Sequence, residues 1–321
     1  MDKGTLLVGE PMGLLIAQET GNFEDVNGWD LVTCGAELNV AIGLSRLEHK
    51  VGYMTKLGDD PFGKRIIKNM QENRISTELI KFVKDRFTGF MLKSKVYEGD
   101  PAIFYFRKNS AASTLSAEDI DGLDCSGYDW IHATGITPAL TDSTREAVEH
   151  LEKLARKNGM VFSFDPNLRP QLWPSKEMMA DYMNMMAARS DYFLPGIKEC
   201  NVCLGISDPE AAAKTYLDMG CKCVIIKLGG DGAYYATADE SGYVPGFKIE
   251  KIIDTVGAGD GFAAGVISAL KEGLPLKEAV RRGNAIGAIQ LTSKGDNDGL
   301  PTREELALFM AGDKNWRKIQ A

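Results

Sequence analysis

The segment Asp254-Thr-Val-Gly-Ala-Gly-Asp-Gly-Phe-Ala-Ala-Gly265 constrains this chain more than any other. An apolar run (Ile249, Ile252, Ile253) precedes it, and a helical pattern over Phe262–Leu270 follows. Gly257, Ala258 and Gly259 carry little or no side chain, so successive backbone N–H groups can point at one anion where a helix begins. Bare amides and the helix dipole together favour negative charge at that place. Asp260 stands within it, and a carboxylate repels a phosphate unless it has a task there. One reading is an N-terminal helix charge, worth roughly a few tenths of a kcal/mol. The other is a general base, which takes a hydroxyl proton while the amides stabilise charge on a transferring phosphoryl group.

The composition is that of a globular protein. The 321 residues include 37 Lys+Arg and 45 Asp+Glu, a formal net charge of −8, with 44% hydrophobic and 26% charged residues. These proportions exclude a disordered tail, a collagen and a coiled coil. A chain this long buries a core without disulfides or metals. The acidic balance argues against nucleic acid or anionic membrane as partner, while leaving room for a local basic pocket for a small anion. Apolar runs such as Val224–Ile226 are too short to span a bilayer. Met1-Asp2-Lys3-Gly4 leads straight into a strand-like run, without the zones of a signal peptide. The expected location is the cytoplasm, where the six cysteines serve as small apolar side chains. Cys200-x-x-Cys203 with Cys221-x-Cys223 has a zinc-like spacing, but Cys221–Lys227 reads as a buried strand and no His lies nearby.

No internal repeat, low-complexity tract or linker interrupts the chain. Strand-like runs at Thr5–Val8, Val51–Leu57, Trp130–Ala133, Met160–Phe164, Tyr192–Leu194 and Val224–Leu228 alternate with helical patterns at Glu37–Leu47, Phe62–Asn73, Asp142–Asn158 and Pro209–Met219. This predicts an α/β fold of βαβ units, with a mainly parallel sheet covered on both faces and ligands at the carboxyl ends of its strands. Gly13–Gln18 with Leu31–Cys34, and Gly89–Tyr97 with Ala102–Arg107, break the rhythm with two-residue alternation. They read as a small antiparallel sheet, either a lid over the site or an edge meander.

Other nucleotide motifs do not fit. Gly58-x-x-x-x-Gly63-Lys64 has Walker spacing, but Arg65 stands where Ser or Thr must bind magnesium. Phe262 occupies the third glycine position of a dinucleotide fingerprint, and no HRD or DFG motif of a protein kinase is present. Asp254–Gly265 does resemble the C-terminal signature of the ribokinase-like (PfkB) carbohydrate kinases at each constrained position. Gly35–Ala41, followed by Leu57–Gly63, resembles the N-terminal signature, with Cys34 in place of the usual glycine. Two separated signatures in the right order extend the resemblance over essentially the whole chain.

The resemblance implies one ribokinase-like kinase domain over residues 1–321, a three-layer α/β/α unit with a mainly parallel central sheet. It also implies a β-sheet lid inserted over about 12–34 and 88–108. ATP and Mg²⁺ are the implied cofactors, with a monovalent cation as a further candidate. Asp260 becomes the catalytic base, and Gly257, Ala258 and Gly259 the anion hole. The implied ATP-binding residues are Asn167, Arg169, Lys227, Gly229, Asp231, Gly232, Gly257, Gly259 and Asn284. The family's Asn-x-x-Glu motif, tied to magnesium and phosphate, is here Gly196-Ile-Lys-Glu199. Glu199 is thus a candidate metal residue or an ordinary helix-start carboxylate.

Substrate choice falls to the acceptor half, since phosphoryl transfer needs the nucleotide half in every member. Arg107 follows Ile103–Phe106 in the lid, and Arg169 follows the strand end at Phe164-Asp165. Planar guanidinium groups suit a bidentate grip on a carboxylate or phosphate, so two of them near one pocket point to an acid sugar. These residues resemble those of the 2-keto-3-deoxygluconate kinases within the family, which implies substrate contacts from Gly35, Asn39, Tyr105, Arg107, Arg169, Asp260 and Asp296. Gly9-Glu10-Pro11-Met12 resembles the same subgroup, and Gly13-Leu14-Leu15 stands where neutral-sugar members commonly carry an aspartate. The expected reaction is ATP-dependent phosphorylation of the carbon-6 hydroxyl of 2-keto-3-deoxy-D-gluconate. The alternatives are a family kinase for fructose, ribose, a nucleoside or 5-keto-2-deoxygluconate, and a non-catalytic sensor, which has no need of a base. Leu92, Ile103 and Tyr105 give the lid an apolar face suited to a homodimer or a higher oligomer.

Overall fold

The computed structural model of the protein describes residues 3–96 and 101–317. Tyr97, the last residue of the expected alternation in the second hairpin, lies outside them. The chain opens with β1 (Gly4–Val8), β2 (Met12–Ala17), β3 (Trp29–Cys34) and α1 (Ala36–Arg46). It continues with β4 (Val51–Gly58), α2 (Pro61–Glu72), β5 (Ser76–Val83), β6 (Phe90–Lys93) and β7 (Ile103–Phe106). Next come α3 (Ala117–Asp121), β8 (Tyr128–Thr134), α4 (Asp142–Lys157), β9 (Val161–Asp165), α5 (Lys176–Ala188) and β10 (Tyr192–Phe193). It ends with α6 (Ile197–Leu204), α7 (Pro209–Met219), β11 (Cys223–Lys227), β12 (Ala233–Ala236), β13 (Ser241–Val244), α8 (Ala258–Lys271), α9 (Leu276–Gln290) and α10 (Arg303–Met310).

Nine strands form the main sheet in the order β13-β12-β11-β10-β9-β8-β1-β4-β5. Every pairing from β5 to β11 is parallel, and β12 and β13 add an antiparallel edge. β1 is buried at every position, as a strand covered on both faces must be. Its side chains alternate between two cores. Leu6 and Val8 join Ala147, Leu151, Met183 and Tyr216 from α4, α5 and α7. Leu7 joins Leu38, Ile42, Ile267 and Ile286 from α1, α8 and α9. This is the expected three-layer α/β/α arrangement. Chain order reverses around β1, which has β8 on one side and β4 on the other. A crevice opens at such a switch point, outside the carboxyl ends of the strands.

A second sheet of four strands runs β3-β2-β6-β7. β2 with β3 and β6 with β7 form the two expected hairpins. The expectation of a wholly antiparallel sheet is corrected at its centre, where β2 pairs with β6 in parallel. The reason lies in the main sheet: β2 follows β1 and β6 follows β5, and both rise from strands that run the same way. One face of the small sheet is apolar, with Met12, Leu14, Cys34 and Met91 at its centre and Ile16, Val32 and Tyr105 around them. On the other side Phe90 stacks between Phe62 of α2 (4.9 Å) and Phe106 (4.5 Å), which ties the small sheet to the large one. No helix among the described residues is long and apolar enough to cross a membrane.

Candidate active site

The glycine segment forms its turn and its helix together. Gly257 adopts φ 79°, a left-handed conformation, and α8 begins at Ala258 rather than at the expected Phe262. A Cβ at position 257 would lie 2.2 Å from the carbonyl oxygen of Asp296, so only glycine fits. The first helical hydrogen bond joins the Gly261 N–H to the Gly257 carbonyl at 2.8 Å. The N–H groups of Ala258, Gly259 and Asp260 precede it, so they have no acceptor within the helix. Close helix packing fixes the turn from behind: a Cβ at Gly265 would lie 2.8 Å from the Gly283 Cα of α9.

Because the helix starts early, Asp260 sits in its first turn, beside these amides. Asn39 of α1 donates its amide N–H to Asp260 Oδ2 at 2.7 Å. Asn297 in turn donates to Asn39 Oδ1 and to the Thr33 carbonyl, both at 3.2 Å. Asn167, held at φ 36° in the loop after β9, reaches Asp260 Oδ1 at 3.4 Å. Burial raises the Asp260 carboxyl from its ordinary 3.8 to about 6. The nearby Asp165 adds to the rise, while the Asn39 bond and the charges of Lys227 and Arg169 oppose it. A carboxylate titrating there is fixed in direction and basic enough to accept a hydroxyl proton near neutral pH.

On one side of this turn lie the residues expected to serve the nucleotide. Lys227, at the end of β11, donates to Asp165 Oδ2 at the end of β9 at 2.6 Å. Burial pulls the Lys227 ammonium down, but Asp165, Glu199 and Asp260 outweigh it and hold the group charged. Gly229 and Gly232 take positive φ around a short turn that includes Asp231. Asn284 is not on the lining of the cavity around Asp260. It is buried, and its amide donates to the carbonyls of Val244 (3.0 Å) and Pro245 (3.2 Å). Glu199 accepts the Leu168 N–H at 2.9 Å on one oxygen and the Gly196 N–H at 2.7 Å on the other. Burial raises its pKa. Glu199 therefore acts first as the brace between the Asn167 loop and the start of α6.

Among the described residues, no group of three or more His, Cys, Asp and Glu side chains is placed to hold a metal. The Cys200, Cys203 and Cys221 thiols are pushed up to about 12 by burial, which leaves them protonated and poor ligands. Glu199 and Asp165 do suit a cation that keeps its waters and takes most of its other ligands from phosphate oxygens, as Mg²⁺ does.

A cavity of about 360 Å³ runs along the turn and under the small sheet. Gly35, Asn39, Tyr105, Arg107, Asn167, Arg169, Glu199, Lys227, Gly257, Gly259, Asp260 and Asp296 all line it. Of the expected site residues, Ala258, Gly229, Asp231, Gly232 and Asn284 lie off this lining. Arg107 lines the cavity as part of an ion pair. Its Nε and Nη2 both donate to Glu10 Oε2, at 2.8 and 2.5 Å, and Ser110 donates to the other oxygen. The sequence identifies the arginine but not the buried acid that neutralises it. Arg169 donates to the carbonyls of Asn167 (3.2 Å) and Leu168 (2.9 Å), and among the described residues its charge has no carboxylate partner within ion-pair distance.

Two more carboxyls face this space. Burial pushes Asp296 up to about 7, with Lys93 opposing and Asp260 adding, and its buried Oδ1 has no hydrogen-bond partner among the described residues. Glu37 also rises to about 7 through burial, although Thr134 (2.6 Å) and Thr137 (3.2 Å) donate to it. Glu10, Glu37, Asp165, Lys93 and Asn297 are not among the site residues expected from the sequence. The sequence signal for them is weak: each polar side chain lies beside a motif residue, in a run that is otherwise apolar or glycine-rich.

Residues 6–303 match the family model described as pfkB family carbohydrate kinase. The 2-dehydro-3-deoxygluconokinase of Bacillus subtilis (strain 168) is 44% identical over 309 residues, 95% of each chain. A PfkB protein from Polaromonas sp. JS666, solved as a crystal structure, shares 42% identity at a TM-score of 0.87 and covers 95% of this chain and 99% of its own. The E. coli protein designated ribokinase II, solved with ATP and Mg²⁺, shares 26% identity at a TM-score of 0.87 over 97% of this chain and 99% of its own.

Proposed function

This chain belongs to the pfkB family of carbohydrate kinases, and from that premise we propose that it transfers the γ-phosphoryl group of ATP to the carbon-6 hydroxyl of 2-dehydro-3-deoxygluconate (2-keto-3-deoxygluconate). The observation that carries the reading is Asp260, hydrogen-bonded to Asn39 and set among the amides that open α8. The acid sugar occupies the cavity under the small sheet, with its carboxylate toward Arg169 and a hydroxyl toward Asp296. Asp260 accepts the carbon-6 hydroxyl proton as that oxygen attacks the γ-phosphorus in line. The N–H groups of Ala258, Gly259 and Asp260 receive the charge that develops on the transferring group. Lys227 meets the phosphates from the end of β11. Mg²⁺ would supply neutralisation of the phosphate charge, and Glu199 and Asp165 would hold it.

The small sheet acts as a lid within a single kinase domain, and its apolar inner face excludes water so that ATP is not hydrolysed idly. Its edge strand β7 exposes Ile103, Phe104 and Phe106, which suits pairing with a second copy. Reaction in the cytoplasm, where ATP is supplied, fits this chemistry. The test is ADP formation by the purified protein against 2-keto-3-deoxygluconate, 5-keto-2-deoxygluconate, fructose, ribose and a nucleoside. The first should exceed the neutral sugars by about 100-fold or more in kcat/KM, the scale set by one desolvated charge pair. An equal rate with fructose or ribose would refute the acid-sugar assignment, and no turnover with any of them would refute the kinase reading.

A further inference from the structure

Lys93 is a charge in an apolar place. The alternation of β6 points it to the same side as Met91, and its cross-strand partners are Ile16 of β2 and Ile103 of β7. Only 5% of it is exposed. A buried ammonium persists only where a partner compensates for its lost hydration. The partner is Asp254, the first residue of the glycine segment, whose Oδ2 lies 2.7 Å from the ammonium. The other oxygen of Asp254 accepts the Val256 N–H at 3.1 Å, one residue before Gly257. The same ammonium lies 4.0 Å from Asp296 Oδ1, and the Asp296 carbonyl is what closes the space beside Gly257. One side chain of the small sheet thus engages the segment that enters the amide turn and the segment that packs against it.

We propose that Lys93 is a positioning residue for phosphoryl transfer: through Asp254 it fixes the turn at Gly257, and so makes correct alignment of the anion-binding amides depend on a seated small sheet. This rests on the phosphotransfer reading above. The lysine touches no reacting atom. Its effect is on where the N–H groups of Ala258 and Gly259 point when charge develops on the phosphoryl group.

The experiment compares Lys93→Met, Lys93→Arg, Asp254→Asn and the Lys93→Met/Asp254→Asn double variant in the full chain. Turnover is measured, and so is calorimetric binding of ADP alone and of ADP with aluminium fluoride, a planar anion that mimics the transferring group. Lys93→Met should lower kcat by about 100-fold, the scale for loss of one aligned oxyanion donor. KM for ATP should stay within about three-fold, because ground-state binding of the nucleotide does not involve Lys93. Binding of the fluoroaluminate complex should weaken in parallel while ADP alone binds normally. Lys93→Arg should recover most of the loss. The double variant, which removes both members of the Lys93–Asp254 ion pair and so guards against a defect caused by a lone Asp254 carboxylate, should be no worse than Lys93→Met alone. The inference is overturned if Lys93→Met keeps kcat and fluoroaluminate affinity, if ADP alone weakens equally, or if the two single losses add. A wild-type protein that turns over no sugar but binds the fluoroaluminate complex would sink the substrate reading, while the binding comparison still decides the role of Lys93. Failure of the wild type to bind that complex overturns both.

Discussion

Replacing Asp260 by asparagine should make the protein more stable and inactive at once, and the pH dependence of the gain can be worked out. In the folded chain this carboxyl titrates near 6, against 3.8 for the ordinary group. Each tenfold change in acidity is worth about 1.4 kcal/mol, so holding the ionised form in place costs about 3 kcal/mol at neutral pH. The folded value is the raised one. Stability from the neutral acid is therefore complete below 3.8 and is lost as pH rises through about 6. Asparagine has the shape of the neutral acid, and its oxygen can still accept the Asn39 N–H. Because solvent reaches part of the site, a net gain of about 1–2 kcal/mol is the reasonable expectation, or about 2–5 °C in Tm for a chain of this size. Differential scanning calorimetry of both proteins at pH 7.5 and pH 4 reads it as a difference, so that other titrations cancel. The gain should be present at pH 7.5 and nearly absent at pH 4, while turnover falls by about 1,000-fold or more. An unchanged or lower Tm at pH 7.5, or an equal gain at both pH values, would refute the strained-carboxylate argument.

Wild-type kcat/KM should rise with pH through an acid limb near 6, as the Asp260 carboxyl loses its proton, and a flat profile from pH 5 to 7 would contradict a base at that position. Gly257→Ala should lower kcat by at least about 100-fold, since its φ of 79° and the 2.2 Å approach to the Asp296 carbonyl force the turn to move; steady-state kinetics check this. The two arginines should separate. Arg169→Ala should raise KM for the acid sugar by about ten-fold or more with Tm nearly unchanged. Arg107→Met leaves Glu10 buried and unpaired and should cost about 3–5 kcal/mol of stability, read as a fall in Tm.

Much of this architecture is legible in the sequence because burial leaves a pattern. β1 and β11 are apolar runs since both faces of the parallel sheet are covered. β5, β12 and β13 escape notice for the opposite reason: they lie at or near the sheet edges, and β5 mixes Ser, Thr, Glu and Lys with its apolar residues. The glycine turn is readable because only small residues bring amides so close to an anion. Its helix is misjudged by a turn because Ala258, Gly259 and Asp260 carry no apolar periodicity. Ile252 and Ile253 belong to an apolar run in the sequence, yet they are 58% and 48% exposed and form no regular element. The polar supports of the site leave the faintest trace. Glu10 pairs with Arg107 across 97 positions, Asn39 reaches Asp260 across 221, and Lys93 reaches Asp254 across 161. Local sequence cannot register contacts made only when two sheets close on one helix.

Proton-coupled ³¹P NMR of the product formed from ATP and 2-keto-3-deoxygluconate tests the central claim most directly. The wild-type protein should give a phosphomonoester split by the paired protons of carbon 6, and Asp260→Asn should give no such signal above background. A phosphoester on a secondary alcohol, inorganic phosphate alone, or an undiminished signal from Asp260→Asn would contradict the account.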